Sequence, residues 1–147
     1  MIAYEEAVRI ILENVRVSDN VERIKITEAE SRILAEDIIS EENVPVAKNS
    51  AMDGFAVRYA DIANCSQEEN VFLTIIEEIP AGKVGTQKVG PGEASKILTG
   101  APVPEGADTV VQVEKTETDG DKVVIKEKTD IGKNIRNAGE DIKKGNL

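Results

Sequence analysis

The chain has 147 residues, 40% of them hydrophobic, which is enough to bury the core of one ordinary domain or two small ones. Its 18 basic and 28 acidic residues leave a net charge of −10, arguing against nucleic acid or an anionic membrane as partner, since phosphate recognition relies on clustered Lys and Arg. Histidine is absent and Cys65 stands alone, so Ser–His and Cys–His nucleophiles, histidine-ligated metals and an internal disulfide are excluded for this chain by itself.

In chain order, Tyr4, Val8, Ile11 and Val15 recur at steps of four, three and four, with Glu5, Glu6, Arg9 and Glu13 opposite, which predicts an amphipathic helix over 3–15. No apolar run approaches the roughly 18 residues that span a bilayer, and the N-terminus carries acids where a signal peptide needs positive charge. A cytoplasmic location is the expectation. Asp19-Asn20 breaks the helical period, after which "VERIKI" alternates like a strand, "TEAESR" suits a short helical turn capped by Thr27 with Glu30 in the capping-box position, and "ILAEDIIS" again reads as a strand. From about residue 70 the β-branched runs "VFLTII", "SKIL", "DTVVQVE" and "KVVIKE" are separated by Gly- and Pro-rich turns, with "TETDGDK" closing a hairpin at Asp119-Gly120. That spacing predicts a compact, barrel-like β unit followed by a glycine-rich tail that begins as a loop and a strand start. Cys65 is read as structural.

Three segments are denser in glycine, proline and small polar residues than plain connections require. In "NSAMDGFAV", residues 49–57, Asp53-Gly54 interrupts a small, apolar run; it suits either a tight turn with positive φ or a carboxylate held against an apolar wall. In "GEASKILTGAPVPEGADTVVQVE", residues 92–114, Thr99 and Gly100 enter a loop stiffened by Pro102 and Pro104, which is either a simple β-connection or a fixed hydrogen-bonding edge for a ligand. In "GKNIRNAGED", residues 132–141, Lys133 and Arg136 lie amid glycines, as a solvated loop or as an oxyanion site in which Glu140 and Asp141 orient the arginine or hold a cation.

Taken together and in this order, the three segments resemble the N-terminal part of the molybdopterin molybdotransferase family, known as MoeA and as the E domain of gephyrin. The upstream "AESRILAEDI" is similar to the family's segment between its first helix and the SAMDG turn, so the likeness runs over essentially the whole chain. The resemblance implies insertion of molybdate into adenylylated molybdopterin with release of AMP and use of magnesium. It also implies an α+β, mainly β fold: an elongated first domain made of residues 1–47 and 137–147, interrupted by an inserted β-rich, barrel-like second domain over 48–136. The family's pterin-binding domain would follow downstream, and the active cleft would form against that domain of a homodimer partner.

Carried over motif by motif, the resemblance implies catalytic roles for Asp53, Thr99 and Asp141 and substrate contacts for Ser50 and Arg136, with the metal position undefined. Where the family commonly has an aromatic and an acid ahead of "NSAMDG", this chain has Ala47 and Lys48. A carboxylate facing an anionic phosphate and molybdate repels them unless a cation or proton intervenes, so Asp53 is expected to act through magnesium, water or a shared proton. The isolated chain is expected to be inactive and to hold no tightly bound cofactor, because the pterin-binding domain is absent. The competing expectation is a non-catalytic, β-rich protein-interaction module on the same scaffold.

Overall fold

The computed structural model describes residues 2–16, 20–66 and 68–147. The chain divides into two compact units, residues 1–38 and 39–147. The architecture is mainly β with a few short helices.

In the first unit, helix α1 spans Tyr4–Asn14. Glu5 and Glu6 in its first turn complement the positive end of the helix dipole, and Arg9 pairs with Glu6 at 2.8 Å and with Glu13 at 3.3 Å. The predicted apolar period is present, yet Tyr4, Ile11, Leu12 and Val15 are all exposed. The expected break at Asp19 lies outside the described residues. Two expectations are corrected in this unit. "VERIKI" and "ILAEDIIS" form no strand, because alternation makes a strand only where a neighbour completes the ladder, and no strand occurs among the described residues of this unit. Residues Ile26–Glu28 form a single 3₁₀ turn entered at Lys25, so Thr27 lies inside the turn and caps nothing.

Among the described residues the second unit contains eight strands: β1 (Asn49–Ser50), β2 (Gly54–Val57), β3 (Val71–Ile79), β4 (Glu93–Ile97), β5 (Thr109–Gln112), β6 (Thr116–Asp119), β7 (Lys122–Ile125) and β8 (Ile135–Arg136). Six of them form one sheet in the order β5-β2-β4-β3-β7-β6, with β3 and β4 parallel and the other neighbours antiparallel. The ladder is open, with β5 and β6 as its edges.

Every residue of β2 is buried. Phe55 and Val57 join Leu73, Val111, Val123 and Ile125 in one apolar cluster, while Ala56 meets Ile79, Ile97 and Val110 in a second, as alternation along a strand covered on both faces requires. Each fully buried Val, Ile or Phe contributes roughly 1.5–3 kcal/mol. The short helix α2 (Tyr59–Ile62) adds Ile62 to the first cluster. Cys65 is buried there too and donates to the Ile125 carbonyl. The β6–β7 hairpin closes on Asp119 opposite Lys122, leaving Gly120-Asp121 as its two-residue loop with Gly120 at φ +61°, the position where a type II′ turn places glycine.

Two further pairings bring distant segments together. β1 pairs with β8, Asn49 opposite Arg136 and Ser50 opposite Ile135. Residues 40–45 run beside 139–146: Val44 N–H donates to the Ile142 carbonyl at 2.8 Å, Asp141 N–H to Val44 at 2.9 Å, and Gly145 N–H to Ser40 at 2.8 Å.

Candidate functional site around Asp53

The SAMDG turn joins β1 to β2 and is gripped from three sides. Ser50 N–H donates to the Ala101 carbonyl at 2.9 Å and Gly100 N–H donates to the Ser50 carbonyl at 2.8 Å, tying the first motif to the second. Ala51 N–H donates to the Asn134 carbonyl at 2.9 Å, tying it to the third, and Val113 N–H donates to the Asp53 carbonyl at 3.0 Å. Inside the turn, the Ser50 hydroxyl donates to the Met52 carbonyl at 2.6 Å and accepts from Met52 N–H at 3.3 Å. Ser50 is 1% exposed, so its hydroxyl braces the turn from within.

Asp53 itself is exposed. Its Oδ1 accepts from both the Thr99 amide and the Thr99 hydroxyl, each at 2.7 Å. These two donors, the hydroxyl first and the amide second, hold the carboxyl below its usual range and so keep it ionised. Oδ2 makes no hydrogen bond among the described residues. A fixed carboxylate with one free oxygen can ligate a hard cation or take a proton from water. No group of three or more His, Cys, Asp or Glu poised to hold a metal occurs among the described residues. One carboxylate nevertheless fits magnesium, which keeps several waters and is held by one or two carboxylates together with substrate phosphates.

The third motif forms a second polar group. Arg136 Nη2 pairs with Asp141, its Nε lies 3.6 Å from Glu140 Oε1, and Glu140 Oε2 accepts from Asn137 N–H at 2.9 Å. Asp141, and behind it Glu140, push the arginine further up from its ordinary value. The structure therefore joins Asp53 with Thr99, and Arg136 with Asp141. Among the described residues no hydrogen bond or ion pair links the two pairs.

Gly54 is needed for a different reason from the one its place in the turn suggested. Its φ is not positive; the Val111 carbonyl passes so close that a Cβ would lie 1.9 Å from the oxygen. The expectation of a left-handed turn residue is corrected to one of close strand approach.

Residues 2–147 match the family described as the MoeA N-terminal region, domains I and II. The chain belongs to this family. Molybdopterin molybdenumtransferase 2 of Mycobacterium tuberculosis is 37% identical over 145 residues, taking in 99% of this chain and 36% of that protein. The molybdopterin molybdenumtransferase of Bacillus subtilis is 39% identical over 150 residues, taking in 99% of this chain and 35% of that one. The crystal structure of the molybdopterin biosynthesis MoeA protein from Pyrococcus horikoshii OT3 aligns with a TM-score of 0.86 at 37% identity, over 100% of this chain and 39% of that one. The chain thus spans little more than a third of the length of these relatives.

Within this MoeA N-terminal region, sequence reasoning overlooked Asn134. It adopts φ +59°, its carbonyl receives Ala51 N–H, and its side-chain amide donates to the Val110 carbonyl at 2.8 Å. The available signal was an asparagine two residues after Gly132, since Asn tolerates the left-handed region better than other residues with a Cβ.

Proposed function

We propose that the chain supplies one wall of the active cleft of a molybdopterin molybdotransferase, which inserts molybdate into adenylylated molybdopterin, releases AMP and yields the molybdenum cofactor. The observation that carries this reading is the Asp53–Thr99 pair, in which a carboxylate of the first motif is fixed by the amide and hydroxyl of the second. Family membership and the relatives named as molybdopterin molybdenumtransferases support the substrate class.

In this reading residues 48–136 are the inserted, barrel-like second domain, and 1–47 with 137–147 are parts of the elongated first domain. The opposite wall of the cleft is a pterin-binding domain contributed by a homodimer partner in the full-length, cytoplasmic enzyme. Magnesium, when bound, would neutralise phosphate charge and polarise the bond to the leaving AMP. Asp53 Oδ2 is its proposed ligand on this wall. Thr99 keeps that carboxylate ionised and oriented, and Ser50 positions it from inside the turn. Arg136, held by Asp141, presents its remaining guanidinium donors to substrate oxyanions.

The test compares melting temperature and adenylate hydrolysis in the full-length enzyme. Asp53→Asn keeps the size of the side chain and removes the charge; turnover should fall about 10²-fold or more, the scale of an acid–base or charge-positioning group, with folding little changed. Thr99→Ala should lower turnover by roughly tenfold or less, as loss of one hydrogen bond does. A folded Asp53→Asn enzyme with normal turnover would remove Asp53 from the chemistry.

A further inference from the structure

We infer that Asn134 is the positioning residue through which the third motif sets the Asp53 carboxylate. The segment 132–134 runs along β5, an edge strand whose outer main-chain groups need partners. Gly132 N–H donates to the Asp108 carbonyl at 2.9 Å, and Val110 N–H donates to the Lys133 carbonyl at 3.2 Å. The next bond comes from a side chain: Asn134 Nδ2 donates to the Val110 carbonyl at 2.8 Å. The Lys133 carbonyl and the Asn134 amide thus clip both main-chain groups of Val110 as a neighbouring strand would.

Replacing the main-chain amide by a side-chain amide has a geometric result. With φ at +59°, the chain turns at Asn134, and its carbonyl is delivered to Ala51 N–H instead of continuing along β5. Asn134 is therefore the junction between the edge of the sheet and the SAMDG turn. Two residues beyond Ala51, Asp53 is bonded to Thr99 on one side and, through its carbonyl, to Val113 of the segment leaving β5 on the other. A slip of Asn134 moves the turn relative to β5 and opens the Asp53–Thr99 bonds. Glycine would keep the φ and lose the clip; aspartate would keep the shape and tolerate the φ but lose the donor; both should release the turn.

The catalytic importance of this junction rests on the proposed role of Asp53, but its test does not. In the 147-residue chain, amide hydrogen exchange and ¹⁵N–¹H NMR are recorded for the unmodified protein, Asn134→Asp and Asn134→Gly. The Thr99 amide, bonded to Asp53, should lose its carboxylate-bonded shift and exchange about tenfold faster in both variants, the factor set by loss of one part-buried hydrogen bond, while Leu73 and Val123 amides stay unchanged. A Thr99 amide that keeps its shift and rate while Val110 alone loses protection would reduce Asn134 to an edge cover and overturn the inference. Should neither variant fold, the unmodified chain decides: Ala51, Thr99 and Val110 amides must open as one unit, with equal opening free energies, and independent opening refutes the coupling. Normal turnover in Asp53→Asn would sink the catalytic reading alone.

Discussion

Gly54→Ala tests how the candidate site is built into the sheet. Gly54 faces Gln112 in the β2–β5 register, and the added Cβ would stand 1.9 Å from the Val111 oxygen, 2.9 Å from its carbonyl carbon and 3.1 Å from Gln112 Cα. All three obstacles are main-chain atoms, so no rotamer change relieves the contact. β5 must withdraw by about an ångström, which strains the four residue pairs from Gly54–Gln112 to Val57–Thr109 and disturbs packing around Val110 and Val111, both fully buried. Overpacking of this kind costs typically 1–3 kcal/mol, and an immovable obstacle places Gly54→Ala near about 3 kcal/mol. At roughly 4 °C per kcal/mol for a unit of this size, the melting temperature should fall by about 12 °C in thermal unfolding followed by circular dichroism. Gly82→Ala is the control. It has φ +76° with nothing within 4 Å of the new methyl, so it should lose only about 1 kcal/mol through backbone strain. A Gly54→Ala chain that melts no lower than Gly82→Ala would refute the close-approach argument.

Other expectations concern the site and the first unit. Because Thr99 depresses the Asp53 carboxyl, the stabilisation from this pair is complete above the unfolded carboxylate value of about 3.9 and is lost as pH falls through the lower folded value. Thr99→Val should move the Asp53 midpoint upward in a ¹³C carboxyl NMR titration, and an unmoved midpoint would mean the hydroxyl bond is absent in solution. Ser50→Ala removes the brace to Met52 and should cost about 1 kcal/mol in denaturant unfolding, whereas a neutral result would show the turn holds without it. Ile33 is 95% exposed, so Ile33→Ser should leave the unfolding midpoint of the chain within about 0.5 kcal/mol; a larger loss would reveal burial in solution.

The legible parts of the fold were those in which local pattern and final environment agree. α1 follows its heptad-like spacing, and the runs around Val71, Ser95, Val110 and Val123 became strands because each has a neighbouring strand to complete its ladder. "VERIKI" carries the same alternation without a ladder to join, which its own six residues cannot reveal. At the site, the residue types of Asp53 and Thr99 suggested chemistry, but their bond closes over 46 positions and is set by the β2–β4 register, in which Gly54 opposes Ile97. Gly54, expected at a positive φ, lies outside the left-handed region and is required by a neighbouring strand, while Asn134, which drew no expectation, adopts φ +59°. Sequence alone names residues able to adopt unusual conformations, and packing decides which one does.

The frame around Asp53 is made largely of main-chain groups: the amides of Ser50, Ala51, Gly100 and Val113 are donors in it, and two of their acceptors, the Ala101 and Asn134 carbonyls, lie in the other two motifs. At Ala51 and Val113 the frame draws on the main chain alone, so composition there can drift more freely than at Ser50, Gly54, Thr99 or Asn134, where the site uses a side chain or the lack of one. What it cannot absorb is loss of an N–H. Proline at any of those four positions would remove a donor that no side chain replaces, so even at Ala51 or Val113, whose side chains the site does not use, that one substitution reaches the carboxylate.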